Sequence, residues 1–423
     1  MSDESEWPLW PALPVAPFNK RRTIRREIVK GQVWTFDQLI GIYYVHVPIR
    51  MTVVRTTTAM VKSSSTSSES GSPVRSGLLV YAPVAPTQEC LRLLQDLIDD
   101  YGPVLNIVLP SVAVEHKVNA GPFARKFPNA SFYVTDKQYS FPIPLPNSFL
   151  GLPEWTQRLP PSSSSSSSSI TPSLFGPDID YEVLSIKPGP GSEFQDVAML
   201  HKPSKSLLIC DTVFAASTEP PEILTEEPEY TRALLWHARD SKDDDEIIKD
   251  TPENRRKGWR RIVLLFNFFF PGSGKGNLGV GPIIDALRTP TYRNGWGGWM
   301  PFTWNLESEQ VDFNKYIDGG KLTSLPIIQI ILARGTDQIE DLLRITDSWD
   351  FERVIPMHLD APVVAGPKEF KEALRWVEDG RNEVRFCDED VAFLRSAEEG
   401  VLNFSVFKTN YGVLRGRDGD CGL

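Results

Sequence analysis

The chain has 423 residues, 41% hydrophobic and 24% charged, with a net charge of -10. That length allows one core with long insertions or two cores, in a globular composition. The acidic balance argues against general nucleic-acid binding, which needs a basic face.

Residues 1–22 are rich in Pro and Trp and then basic, and are expected to form a disordered arm. Residues 32–36 and 42–57 alternate, with β-branched and aromatic residues, which predicts two antiparallel strands. The Ser-rich stretch 62–73 lies where a tight hairpin would suffice, so it is an insertion. A strand at 77–82 and a helix at 87–100 follow. Thr87 caps that helix, and Leu91, Leu94, Leu97 and Ile98 share one face. The apolar run 104–109 is short enough for a buried strand. Asn119 then caps a short helix to Phe127, which leaves 111–117 as a loop at a strand end. A strand at 131–135 completes a strand–helix–strand–helix–strand unit, the pattern of a parallel sheet.

Residues 141–178, with a serine run at 162–169, form a second disordered insertion. Strands are expected at 181–186, 196–201 and 206–210, the last running into Asp211. Residues 229–270 are expected to be helical, with Thr251 and Pro252 as a start signal and Trp259, Ile262, Val263, Phe266 and Phe270 as an apolar face. The Gly- and Trp-rich stretch 271–320 is a third insertion with no assigned structure. Residues 321–346 are helical in part, 353–358 form a short strand ending in histidine, and 367–379 form an amphipathic helix. A short helix and a tail end the chain.

Cys90, Cys210, Cys387 and Cys421 lie far apart with no C-x-x-C pair, which excludes a zinc ribbon and points to a reducing compartment. The opening Met-Ser-Asp-Glu-Ser-Glu has no apolar core, so it is not a secretory signal, and a cytoplasmic location is expected. No apolar run of about 18 residues occurs, so no membrane span is expected.

The histidines are His46, His116, His201, His237 and His358. Glu115, His116, Asp211 and His358 each stand at or just past the end of an expected strand. Sheets of this class bind ligands at such ends, so the four side chains are expected on one rim. Two imidazoles and two carboxylates suit zinc, iron or manganese. The competing reading makes each a separate hydrogen-bonded structural residue. His201, in a turn, and His46, in a strand, are expected outside the site. His237, Arg239 and Asp240 at a helix end either support the rim or cap the helix and form a surface ion pair. Arg255, Arg256, Lys257, Arg260 and Arg261 are expected to form a solvated helix face in preference to an anion site.

The order of elements resembles the metallo-β-lactamase fold, an αββα sandwich of the α/β class. That fold carries His-x-His-x-Asp-His after a strand; here the stretch is Ser111-x-Ala113-x-Glu115-His116. Its Pro-Gly-His turn is similar to 187–192, its bridging aspartate to Asp211 and its last histidine to His358. More closely, the stretches at 22–28, 81–91, 115–124 and 237–259 resemble an uncharacterised domain family, found mainly in photosynthetic organisms and without an assigned reaction. The resemblance implies a domain over 23–385 with insertions at 62–73, 141–178 and 271–320, after the arm 1–22 and before a C-terminal helix and tail, 386–423.

The three-histidine metal site of that superfamily falls here on Ser111, Ala113 and Pro190, none of which replaces an imidazole. The second site falls on Glu115, His116, Asp211 and His358. The resemblance therefore implies one zinc or iron ion on His116, Asp211 and His358, with Glu115 as ligand or catalytic base, or no cofactor at all. Two functions stay open. One is a mononuclear metal-dependent hydrolase of a small ester, thioester or phosphoester. The other is a non-catalytic descendant that binds a small molecule or a protein. The expected partner is a small-molecule ligand or substrate, with no nucleic acid and no membrane. The resemblance adds a plastid to the cytoplasm as a location.

Overall fold

The computed structural model describes residues 3–7, 20–42, 45–59, 74–138, 147–160, 174–189, 192–241, 248–268, 274–276, 300, 302–324, 326–375, 377 and 392. Its first sheet holds β1 (Ile24–Val29), β2 (Val33–Ile42), β3 (Val45–Ala59), β4 (Val74–Tyr81), β5 (Val104–Leu109), β6 (Ser131–Val134) and β7 (Gln157–Arg158), in that order. The first four are antiparallel neighbours, and β4 to β7 run parallel. Parallel neighbours need a crossover, and the expected helices supply it. α1 (Gln88–Tyr101) joins β4 to β5, and α2 (Val114–Ala124) joins β5 to β6. Thr87 caps α1 by accepting from the Cys90 amide at 3.1 Å.

The second sheet has the order β14-β13-β10-β9-β8. It contains β8 (Ile179–Gly189), β9 (Ser192–His201) and β10 (Ser206–Ile209). A short ribbon, β11 (Gly274–Gly276) with β12 (Phe302–Trp304), lies outside it, and β13 (Arg353–Pro356) and β14 (Val363–Val364) complete it. β10 and β13 are parallel; the other pairs are antiparallel.

Alternation along each strand gives both sheets two apolar faces. Between the sheets, Val54, Leu79, Tyr81 and Val108 meet Val197, Met199, Leu208 and Ile355. On the outer face of the first sheet, Val53, Val80 and Ile107 pack on Leu94 and Leu97 of α1 and Phe123 of α2. Leu39 and Val47 extend that sheet beneath α3 (Pro228–His237), α4 (Pro252–Phe268) and α5 (Glu309–Ile317), through Leu234, Trp259, Val263 and Phe313. On the outer face of the second sheet, Leu200, Leu207 and Ile209 meet α6 (Pro326–Leu332), α7 (Thr336–Thr346) and α8 (Pro367–Ala373) through Leu332, Ile339, Leu342 and Phe370. The layers are therefore α, β, β, α, with a helical module against one end.

Several expectations need correcting. The helical stretch 229–270 is two helices, α3 and α4. A Cβ at Gly258 would stand 1.9 Å from the Leu234 carbonyl oxygen, so glycine is what lets them touch. The helix expected from Asn119 starts at Val114, and Asn119 lies inside it. The arm is partly fixed: the Ser5 carbonyl accepts from the Arg21 amide at 2.8 Å, and the Glu4 carbonyl from the Glu89 amide at 2.9 Å. Within 141–178, residues 147–150 form a turn of 3₁₀ helix and β7 extends the first sheet. Within 271–320 lie the ribbon and α5. The basic cluster is ion-paired throughout, with Arg255, Arg256 and Lys257 paired at the exposed surface and Arg261 buried. Arg255 meets Asp250, Lys257 meets Asp240, and Arg260 and Arg261 both meet Glu309, each at 2.6 Å; Arg256 meets Glu219 at 2.5 Å. Arg261 and Glu309 are both buried, so each needs the other. The insertion 62–73, the serine run, Pro190 and nearly all of 386–423 lie outside the described residues.

Candidate metal centre

β5 runs through a four-residue link, 110–113, straight into α2. Glu115 and His116 consequently stand in the first turn of a helix, not in a loop. The helix start is a favourable place for a carboxylate, because the backbone N–H groups there point outward. β10 delivers Cys210 and Asp211, and β13 delivers His358 two residues beyond Pro356. The first strand belongs to one sheet and the other two to the opposite sheet, so the cluster spans the sandwich.

His116 Nε2 lies 3.1 Å from His358 Nε2. Asp211 Oδ1 is 3.6 Å from the latter and 4.0 Å from the former. A Glu115 oxygen, an Asp211 oxygen and a His358 nitrogen lie within 4.8 Å of one another, and so do ligand atoms of His116, Cys210 and Asp211. His116, Asp211, Cys210 and His358 are buried, while Glu115 is half-buried.

Each ligand is oriented from behind. The Ser111 hydroxyl donates to Asp211 Oδ2 at 2.7 Å, which leaves Oδ1 facing the imidazoles. His358 Nδ1 is 2.8 Å from the Pro48 carbonyl oxygen. Arg50 donates to the carbonyls of Pro356 at 2.7 Å and Leu359 at 3.0 Å, on either side of that histidine. Asp37 holds the guanidinium in turn at 2.7 and 3.2 Å. The Phe214 and Phe266 rings stand 6.0 and 5.5 Å from the His358 ring and form an apolar wall.

Burial pushes all four groups toward their neutral forms. It raises Asp211 to about 7, helped by the negative charge of Asp196. It raises Glu115, helped by Asp211. It holds His116 well below its usual range, with His358 adding to the effect, and lowers His358 itself. Such a cluster is costly unless a cation compensates the carboxylates.

The hydrogen bonds test whether a cation fits. A carbonyl oxygen only accepts, so His358 carries its proton on Nδ1 and presents a lone pair at Nε2. The buried Nδ1 of His116 has no hydrogen-bond partner among the described residues. A cation at Nε2 leaves that Nδ1 as it is, so the fit is decided by the lone pair of His358 and the spacing of the three ligand atoms. Ligand atoms that share an ion at about 2.0–2.2 Å stand at most about 4.4 Å apart. The separations of 3.1, 3.6 and 4.0 Å meet that condition. Two imidazoles and a carboxylate, with Glu115 at the open edge, fit one divalent cation.

The structure thus brings together Glu115, His116, Asp211 and His358. The contacts described for His237, Arg239 and Asp240 run to the joint of α3 and α4. Arg261 donates to the carbonyls of His237 at 2.9 Å and Arg239 at 2.7 Å, and to Asp240 Oδ1 at 2.6 Å. His201 binds Ser204 and the Arg55 carbonyl, and His46 is buried in β3. Sequence reasoning missed Cys210 as a neighbour of the site. The available signal was its place beside Asp211 at a strand end. It also missed Ser111, noted there only as a lost ligand.

The layer order makes the chain an αββα sandwich of two packed sheets with helices on both outer faces. The chain belongs to the family described as a domain of unknown function, DUF4336, whose model matches residues 30–376. No curated protein matches it. Among solved structures it is similar to the metal-soaked Flv1 flavodiiron core from Synechocystis sp. PCC6803, at 9% identity and a TM-score of 0.40, covering 85% of this chain and 62% of that one. It is similar to a metallo-β-lactamase from Pontibacter korlensis at 9% identity and a TM-score of 0.35, covering 84% of this chain and 99% of that one. It is also similar to FIM-1 from Pseudomonas aeruginosa in the mono-zinc form, at 9% identity and a TM-score of 0.33, covering 85% and 96%. Among the described residues, no helix is long and apolar enough to cross a membrane.

Proposed function

We propose that this chain is a one-metal hydrolase of small esters, thioesters or phosphoesters. The observation that carries the reading is the pair of imidazole nitrogens 3.1 Å apart with Asp211 Oδ1 beside them. His116, Asp211 and His358 hold the ion, zinc or iron by their chemistry. Such an ion supplies Lewis acidity and makes a water more acidic. Ser111 keeps Asp211 turned toward the imidazoles. Glu115, the most exposed of the four acid–base groups, is placed to take a proton from water and return it to the leaving group. Phe214 and Phe266 exclude solvent from the far side of His358.

The test is the metal content of the purified protein by mass spectrometry, beside His116→Ala and His358→Ala. About one ion per chain is expected, with loss in both variants. Hydrolysis of p-nitrophenyl acetate, a thioester and bis-p-nitrophenyl phosphate then identifies the substrate class, and Glu115→Gln is expected to slow it by about 10²–10⁴-fold. Absence of metal after loading with zinc or iron overturns the reading.

A second reading has one observation in its favour. His116, Asp211 and His358 are all buried, and Glu115 alone of the four is half-buried. A non-catalytic descendant that uses the ion or the charged cluster to bind a ligand accounts for that burial. Bound metal without hydrolysis of any of the three substrates is its expected outcome.

A further inference from the structure

The β9–β10 ladder pairs Ser206 with His201, Leu207 with Leu200 and Leu208 with Met199. Continued by three residues, that register would set Asp211 opposite Asp196. The ladder stops short of this, while β10 continues beside β13 as far as Ile209. Where the main-chain acceptors of β9 end, the side chain of Asp196 takes their place. Its Oδ1 accepts from the Cys210 amide at 3.0 Å. Its Oδ2 accepts from the amides of Asp211 at 2.8 Å and Thr212 at 2.9 Å, and from the Thr212 hydroxyl at 2.6 Å. Asp196 is fully buried, and Thr212 with it.

Three consecutive amides on one carboxylate fix the backbone direction of a turn that is not otherwise held in a sheet. Hydrogen bonds to an ionised acceptor are about twice as strong as neutral ones. The turn presents two groups of the cluster, Cys210 and Asp211. We propose that Asp196 is a positioning residue for the metal centre, aiming Asp211 at the two imidazoles and setting a negative charge behind it. The inference rests on the one-metal reading above. Asp196 touches no ligand atom of the ion itself; it acts through the backbone of 210–212. An asparagine in its place keeps one acceptor but turns an NH₂ group toward amide donors, which drives the turn out of position.

The experiment is Co(II) titration of the full chain, following the visible absorption that reports coordination geometry. Asp196→Asn is compared with wild type and with Leu342→Ala, a core change in α7 far along the outer layer of the second sheet. Asp196→Asn is expected to weaken Co(II) binding about 10–100-fold and to shift the spectrum. Leu342→Ala is expected to lower thermal stability with affinity and spectrum intact, which separates positioning from mere destabilisation. Thr212→Val removes one of the four bonds and is expected to weaken binding several-fold with a smaller spectral shift. Folded Asp196→Asn with wild-type affinity and spectrum overturns the inference. If that variant does not fold, wild-type behaviour of Thr212→Val overturns it. Wild-type protein that binds no Co(II) overturns the one-metal reading itself, and this inference with it.

Discussion

His358 is oriented by the carbonyl oxygen of Pro48, 2.8 Å from its Nδ1 and 310 positions earlier in the chain. That bond leaves Nε2 free for a cation. On the one-metal reading, removing the ion is expected to destabilise the protein, because its ligands meet only in the folded state. At a free-ion concentration 100 times Kd, the stabilisation is about 2.7 kcal/mol. Chelation should lower the thermal midpoint of wild type by several degrees and leave that of His358→Ala unmoved. Scanning calorimetry with and without chelator checks this, and equal shifts in both proteins would contradict it.

Arg50 and Asp37 are both buried and bonded at two points, and Arg50 also straps the chain on both sides of His358. Removing Asp37 strands the buried Arg50 charge, and removing Arg50 leaves Asp37 only the longer 3.7 Å contact to Arg26, at up to about 3–5 kcal/mol. Asp37→Leu and Arg50→Met should each cost that much in urea unfolding. The double variant should cost less than the sum, because no charge is left alone. Additive losses would show that the two do not act as a pair.

The buried imidazole of His46 should set part of the acid limit of stability. Burial, with the positive charge of Arg21, lowers its pKa from 6.5 to about 3. The unfolded chain binds a proton near 6.5 that the folded protein refuses down to about 3, so stability falls as pH drops through that window. The slope from this one group is at most about 1.4 kcal/mol per pH unit. Unfolding free energies between pH 7 and 4 should decline less steeply in His46→Gln. An unchanged slope would exclude His46 as a contributor.

Cys90 should be inert in the folded protein. Burial, and the nearby charge of Glu89, pushes its thiol up to about 12, so little thiolate exists at pH 8. Burial, aided by Asp211, also holds the Cys210 thiol well above its usual range. Peptide mapping after iodoacetamide treatment should show both cysteines unlabelled in native protein and labelled in guanidinium. Rapid native labelling of Cys90 would contradict its packing in α1.

Gly258→Ala should prise α3 from α4. The new methyl would meet the Leu234 carbonyl oxygen at 1.9 Å, and a backbone oxygen cannot swing aside. Overpacking of this kind costs about 1–3 kcal/mol. The loss should appear in urea unfolding, and a neutral result would mean that the helices slide past the clash.

Several strands and the crossover helices were legible because their signals are local. α1 carries Thr87 at its start and leucines on one face, and β5 is an apolar run of strand length. The start of α2 was not, because Asn119 resembles a helix-capping residue, while the actual start is fixed by where β5 releases the chain. The four strand-end residues of the centre could be named individually, since strand ends show in the pattern. The partners behind them could not. Ser111 and Asp211 are 100 positions apart, and His358 and Pro48 are 310 apart. Asp196 needs the β9–β10 register before it means anything, and no single stretch of sequence holds that register.

Ile49 bridges to His358, and the Arg50 amide donates to the Met357 carbonyl at 2.8 Å, so the end of the chain's last long excursion is sewn onto one of its earliest strands. During synthesis, the pocket cannot exist until residue 358 has left the ribosome and returned to β3. A nascent or clipped chain that stops short of that point carries Glu115, His116 and Asp211 but lacks the second imidazole. The order of synthesis thus leaves His116 and Asp211 waiting for a second imidazole that arrives only when residue 358 is stitched to β3.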